Sequence, residues 1–550
     1  MRIPAVAAMS LSLLWLLSNE HEMIEDTTGV IVQAQDTAQA TELVRLVGGE
    51  AKRELNVINA VGAELTLEQL ELLRGMAPET RVYSDRSVKL SGKGKGGGGR
   101  GQGVPSAEHP ALIGADLLVA EGFTGLGVTV AVLDTGSHHF EGLDYDMNGN
   151  PRRLATYVVE FDTEEPESFP YYNDPNGHGT HVSSIILNSE TGNKSHTPNG
   201  IAPDASLIVV DAFDSHGRAT YLDVIQGIDW VVANSARFDI RVLNLSISAP
   251  PVSHYWDDPL NQAVMAAWRA GIVVVASAGN GGPDPMTIGV PGNVPYVITV
   301  GAMSDAVSPR DATDDFLASF SAAGPTVEGF VKPEIVAPGG HIVASMERHT
   351  RIANEHTEFH DQGSYFTMSG TSQAAAVVSG VVAQMLQANP SLTPDEVKCR
   401  LMASARPAVD GDGNLAYSVF QQGAGMVHAY DAVYSSASSC ANQGLDIDLE
   451  LHPDPTHRVH YGGAANQDEN GNYYIEGLEP DAYMWNNGYM WSNGYMWSNG
   501  YMWSNGYMWS NAYMWNNGYA WSNAYMWNNG YMWSNGLTES ATINVWVEQE

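Results

Sequence analysis

Between Val104 and about Ser435 the chain is punctuated by short runs that are apolar at nearly every position. They are GVTVAVLD, SLIVVDAFD, RVLNLSIS, GIVVVASAGN and YVITVGA. A strand with one wet face alternates polar and apolar residues. These runs do not alternate, so both faces of each strand are covered. Helical stretches separate them, and strands joined through helices lie parallel. The expected fold is therefore α/β: a doubly wound, mainly parallel sheet with helices on both faces. In such a sheet, function gathers where strands end and helices begin.

The rest of the chain divides by composition. Residues 1–25 hold Arg2 and an apolar run from Ile3 to Leu17, too short to span a bilayer comfortably and suited to a secretory leader. Residues 26–90 read strand, helix, two strands, helix, strand, with RVYSDRSVKL as the closing extended stretch and a Thr66-x-x-Gln69 capping box opening the second helix. This is a small, ferredoxin-like α/β unit. Residues 91–103, SGKGKGGGGRGQG, contain eight glycines and no apolar side chain, the composition of a flexible, protease-accessible linker. Beyond the 104–435 domain come a polar linker at 436–482, nine hexads of the YMWSNG type at 483–536, and a tail at 537–550.

Charge excludes one class of partner. From Val104 onward there are 15 basic and 50 acidic residues, a net of −35 within a chain total of −37. So anionic a surface repels phosphates, and nucleic-acid binding is set aside. Only Cys399 and Cys440 occur, which excludes a cysteine-rich metal cluster and leaves room for one disulfide in an exported protein.

Three chemical groups sit at strand–helix junctions. Asp134 ends the strand GVTVAVLD, His178 opens the helix after NG in NGHGTHVSSIIL, and Ser372 opens SGTSQAAAVVSGVVAQMLQANP. Singly, each has an ordinary explanation: a turn aspartate, a paired histidine, a cap. Ser369, in the same cluster, reads as that cap. His178 with His181 also has the spacing of a metal pair, but no third ligand stands nearby. Together they have a different meaning. A hydroxyl nucleophile needs a base, and an imidazole base needs a carboxylate to fix its tautomer. A helix N-terminus adds unpaired N–H groups where an oxyanion forms. Asn280, leaving the strand in ASAGN, adds a side-chain donor.

VLDTGS, NGHGTHVSS, ASAGNGG and SGTSQAAAVVSG follow one another in the order Asp, His, Asn, Ser, which resembles the subtilisin family of serine peptidases. The likeness spans most of residues 104–435. It implies a subtilisin-like fold and a secreted endopeptidase with Asp134, His178 and Ser372 as catalytic triad. Asn280 and the Ser372 backbone N–H would form the oxyanion hole. By the same resemblance, Ser246, Ile247, Ser248 and Ser277, Ala278, Gly279 are the substrate-binding walls of the primary specificity pocket. None is charged, and Ser248 stands where the family commonly has glycine. Residues 26–90 resemble an inhibitory propeptide, a partner of the enzyme until it is cut. No cofactor is required for the chemistry. Structural calcium is implied, with Asp144, Asp146 and Asn148, or Asp410, Asp412 and Asn414, as candidate ligands. The sequence departs from the family at Gln373 to Ala376 and at Ser183-Ser184, which touches packing and no catalytic group.

Protein or peptide substrates are the expected partners. The hexads suggest another, a polysaccharide or cell-envelope surface. Their Tyr and Trp are two apart, so both rings project from one face of an extended chain, and the array carries no charge. An alternative from another class is an adhesive protein whose repeats are the functional part. The complete set of four catalytic groups argues against a mere scaffold. An acid-acting Ser-Glu-Asp peptidase is disfavoured by the setting of His178.

Overall fold

The computed structural model describes residues 27–90, 104–159, 174–304, 315–410, 414–469 and 471–476. The leader, the glycine linker, the hexads and the C-terminal tail lie outside the described residues. Contacts divide the chain into two units, one ending at Asp85 and the other holding Leu55–Ile58 and everything from Arg86.

The first unit runs β1 (Thr27–Gln33), α1 (Thr37–Leu46), β2 (Ala51–Leu55), β3 (Ala60–Thr66), α2 (Leu67–Met76) and β4 (Arg81–Ser84). Its sheet order is β2-β3-β1-β4, with β1 antiparallel to both neighbours. Each helix starts where the sequence supplies a cap. Asp36 accepts from the Gln39 N–H, and Thr66 and Gln69 form both halves of a capping box. Val30 and Val32 of β1 pack with Ala40, Val44, Leu70 and Leu73 of the helices.

RVYSDRSVKL is not one strand. It breaks after Ser84, and β5 (Ser87–Leu90) belongs to the second unit. There the elements are β6 (Thr129–Asp134), β7 (Arg153–Val158), α3 (His178–Leu187), β8 (Ser206–Asp211), β9 (Arg218–Thr220), α4 (Tyr221–Phe238), β10 (Ile240–Leu245) and β11 (Ile247–Ser248). They continue with α5 (Pro259–Arg269), β12 (Val273–Ser277), β13 (Ile298–Ser304), β14 (Phe316–Leu317), β15 (Ile335–Pro338), α6 (Thr371–Ala388) and α7 (Pro394–Ser404). The central sheet has the order β14-β13-β12-β10-β6-β8-β7, and β15 also joins β13. Every pairing in it is parallel except β13 with β14. The continuous apolar runs occupy these strands, buried throughout in β6 and β12. This is the covered parallel sheet that their patterning requires.

Helix α6 is apolar on every side, and Thr371 through Leu386 are all buried. It packs on α3 and on β10, β12 and β13, so it runs inside the unit rather than over it. A second buried feature is ionic: Glu334 lies between Lys332 and Lys398, 2.8 Å from each ammonium. Cys399 and Cys440 form a disulfide with their Cα atoms 5.2 Å apart. It ties down residues 436–476, which read as polar linker but fold onto this unit. Tyr255 donates to the buried Glu450, and the Trp256 ring is stacked between His254 and His460 at 4.4 and 4.8 Å. No helix among the described residues is long and apolar enough to cross a membrane.

Candidate active site

The site begins at the carboxyl end of β6. Asp134 is fully buried, and its Oδ1 accepts the Thr135 N–H at 2.8 Å. Its carboxylate also meets His178 Nδ1, at 2.7 Å to Oδ1 and 3.0 Å to Oδ2. An ionised carboxylate only accepts, so Nδ1 carries the proton and Nε2 is left with the basic lone pair. That is the tautomer a general base needs.

A second buried carboxylate, Asp174, holds the histidine helix in place. Its Oδ1 accepts from Thr135 Oγ1 at 2.8 Å and the Gly177 N–H at 2.7 Å. Its Oδ2 accepts from the N–H and hydroxyl of Thr180, both at 2.8 Å. The N-terminus of α3 is thus capped from Asp174, and Thr135 Oγ1 accepts the Gly179 N–H at 2.9 Å. Gly179 is needed for this approach, because a Cβ there would run into the Gly136 carbonyl. Sequence reading missed Asp174. The signal available was an aspartate four residues before a helix opened by Gly-His.

On the other side Ser372 lies at the second position of α6. The N-cap is Gly370, which has no side chain to cap with. Ser369 is not the cap expected for it: its hydroxyl instead accepts the His341 N–H at 2.8 Å. Ser372 Oγ donates to the Ser246 carbonyl at 3.0 Å, and Ser246 Oγ donates to the Ser372 carbonyl at 2.9 Å. Behind them Asn244 donates to Ser246 Oγ and accepts from Ser379, so the second serine of the helix belongs to the same buried chain of hydrogen bonds. Asn280 Oδ1 accepts from the Thr371 N–H at 3.0 Å and its hydroxyl at 2.9 Å. Its Nδ2 has no hydrogen-bond partner among the described residues. A carboxamide held by its oxygen, with its donors unspent, is preorganised to receive a developing negative charge.

The residues expected to form the specificity walls come together. Ser277 Oγ donates to the Ile247 carbonyl at 2.8 Å, which joins the end of β12 to β11. Ala278 is buried, and Gly279 has a φ of +107°. A further segment, not read from sequence, packs beside them. The Gly289 N–H donates to the Ala278 carbonyl, and Val290 pairs with Ala249. Ser248 projects between them, its Oγ 2.9 Å from where a Cβ on Gly279 would stand, and it also fills the space beside Gly289. Along this edge β5 lies antiparallel between β11 and β9, with Lys89 opposite Ser248 and Leu90 opposite Ile247.

His181 is not half of a metal pair. Its Nε2 faces the Phe366 carbonyl at 3.1 Å, and burial pushes its pKa down to about 3. In the first candidate calcium loop the carboxylates have protein partners. Asp144 is held by Arg153 at 3.0 Å and His139 at 2.7 Å. Asp146 is spent on the N–H groups of Asn148 and Asn150 and on the Asn150 amide. In the second, Asp410 accepts from Asn414, and Asp412 lies outside the described residues. No three His, Cys, Asp or Glu side chains converge on a metal position among the described residues.

Known proteins resemble this chain. The model of the subtilase family matches residues 125–425. Serine protease AprX of Bacillus subtilis is 37% identical over 390 residues, 70% of this chain and 80% of that protein. Subtilisin E of the same species is 29% identical over 378 residues, 68% of this chain and 82% of that one. Among solved structures, fervidolysin from Fervidobacterium pennivorans, a keratinolytic enzyme related to subtilisin, matches with a TM-score of 0.55 over 75% of this chain. This chain spans 61% of the fervidolysin chain at 23% identity, a likeness that bears on the fold alone. Matched over more than half its length by the family model, and over a third identical to a curated member, the chain belongs to the subtilase family and is a subtilisin-like serine endopeptidase.

Proposed function

We propose that the protein is an exported endopeptidase, made as a zymogen, in which Asp134, His178 and Ser372 carry the chemistry. Ser372 Oγ attacks the scissile carbonyl while His178 Nε2 takes its proton. The oxyanion is held by Asn280 Nδ2 and the Ser372 N–H. Collapse breaks the C–N bond, and the amine leaves with the proton from His178. Water then repeats the sequence on the acyl-enzyme and returns the free acid and Ser372. As a subtilase the protein needs no cofactor for these steps. The observation that carries the reading is the buried 2.7 Å contact of His178 Nδ1 with Asp134. A serine at the start of a buried helix and an asparagine with unspent donors complete the set.

Residues 26–90 are read as the inhibitory propeptide, supported by the docking of β5 along the specificity walls. Export is supported by the apolar leader and by the Cys399–Cys440 disulfide. Ser372→Ala tests the assignment. It should remove peptide hydrolysis by about a millionfold while circular dichroism stays unchanged. Fluorophosphonate labelling followed by peptide mapping should place the adduct on Ser372. An adduct elsewhere, or residual activity of a few per cent, would reject the triad.

A further inference from the structure

Arg86, the residue before β5, has its side chain in a pocket that the catalytic site does not use. Its Nη2 donates to Asp258 Oδ2 at 2.7 Å, and its guanidinium carbon lies 4.4 Å from the centre of the Tyr221 ring. Tyr221 donates its hydroxyl to the same oxygen at 3.1 Å, and its N–H donates to the Arg86 carbonyl at 2.6 Å. With Arg86 in place, Asp258 and Tyr221 are completely buried. Asp258 Oδ1 is committed elsewhere: it caps α5 by accepting from Leu260 and Asn261. The pocket therefore offers one oxygen of a buried carboxylate beneath an aromatic wall. Such a carboxylate is strongly unfavourable without a cation, and a planar guanidinium can pair with it and stack on the ring together.

The position of the pocket relative to the nucleophile follows from register. Ser246 is hydrogen-bonded in both directions to Ser372, so a substrate residue opposite Ser246 offers its carbonyl to the nucleophile. In the β5 register, Lys89 stands opposite Ser248 and Leu90 opposite Ile247. A substrate strand in that register puts its next residue opposite Ser246. Counting that residue as the first, the position of Arg86 is the sixth on the N-terminal side of the scissile bond.

We propose that Asp258 and Tyr221 form a distal subsite that selects an arginine side chain at the sixth substrate position before the scissile bond. This rests on the reading of the protein as a peptidase whose substrate lies where β5 lies. Arg86 fills the subsite while its own strand is bound, and a basic substrate fills it afterwards. The net charge of −35 from Val104 onward draws basic peptides toward the enzyme in the same sense.

The test uses the full chain, incubated until peptidase activity is constant, and fluorogenic peptides that differ only at the sixth position. Arginine should exceed glutamine in kcat/KM by about tenfold or more, mainly through KM, with lysine between and glutamate lowest. Moving the arginine to the fifth or seventh position should lose the advantage. Asp258→Asn keeps an oxygen for the α5 cap and removes the charge, and should bring the arginine-to-glutamine ratio close to one. If that variant does not fold, the peptide series on the unaltered protein decides by itself. Values of kcat/KM within twofold for every residue at the sixth position would overturn the subsite and leave the peptidase reading intact. So would an advantage displaced to another position. Cleavage of no peptide at all would instead reject the peptidase reading.

Discussion

If Ser248 lines the primary specificity pocket, as proposed from the resemblance, its one side chain bears on what that pocket can hold. Its hydroxymethyl group stands between Gly279 and Gly289, the two places on the facing walls where the chain has no side chain of its own. The volume those glycines leave open is partly occupied by Ser248. Small and medium side chains should therefore be preferred at the first substrate position, and Ser248→Gly should admit large aromatic ones. A methylene's worth of space in such a pocket changes discrimination by about 10- to 200-fold. The ratio of kcat/KM for phenylalanine over alanine substrates should rise by at least tenfold in the variant, and an unchanged ratio would place the restriction elsewhere. Much of this scale was legible. Asp134, His178, Asn280 and Ser372 stood out because each sits in a short motif at a strand or helix end. Asp174 did not, since a buried carboxylate that caps a helix from outside has the same sequence appearance as any loop aspartate.

Among the elements, β5 carries the consequence for maturation. It is a strand paired with β11 and β9, on the N-terminal side of the glycine linker. If the enzyme itself makes the first cut, near Leu90 or within the linker, the Ser372→Ala chain should accumulate with residues 26–103 attached. Intact-mass measurement after expression in a protease-deficient host checks this, and a processed Ser372→Ala chain would point to another protease. The strands and helices of the central sheet were readable because their patterning is local. The break in RVYSDRSVKL was not. What anchors Arg86 is Asp258, 172 positions away, and no periodicity in the segment announces such a partner. The fold of residues 436–476 was hidden for the same reason. Polar composition suggested a linker, whereas Glu450 is buried against Tyr255 and Cys440 is bonded to Cys399.

For the molecule as a whole, acid should be the destabilising direction. Burial pushes His109 and His181 down to about 3 each, so both stay neutral in the folded protein. Unfolded, they take up protons below about 6.5. Between these values the unfolded state binds more protons, and stability falls as pH falls, by about 1.4 kcal/mol per unit for each group. Glu450 works the other way. Burial raises it to about 7, so the folded protein holds an extra proton between that value and the ordinary glutamate value of 4.5, which favours folding as pH drops through that window. The loss should be shallow from pH 6.5 to 4.5 and steeper below. Urea midpoints of the Ser372→Ala protein across pH 7 to 3.5 would show it, and constant stability below pH 4.5 would contradict the buried neutral histidines. If the rings of the hexads bind a polysaccharide or cell-envelope surface, removing residues 481–536 should leave turnover of small peptides unchanged and weaken retention on such particles. Equal pull-down of both forms would remove that role.

The burial of α6 from Thr371 through Leu386 has a consequence for how this enzyme ages. Its first turn carries Ser372, the proposed nucleophile, and the following turns are wedged between α3 and the central strands. The amides of a helix buried in this way should exchange with solvent only when the surrounding domain opens. The nucleophile therefore has no private route to disorder. A population of these molecules, bathed in its own protease activity, holds fully working copies and lost ones, with few half-competent forms between. The lifetime of activity is set by a single rate, that at which the domain comes apart.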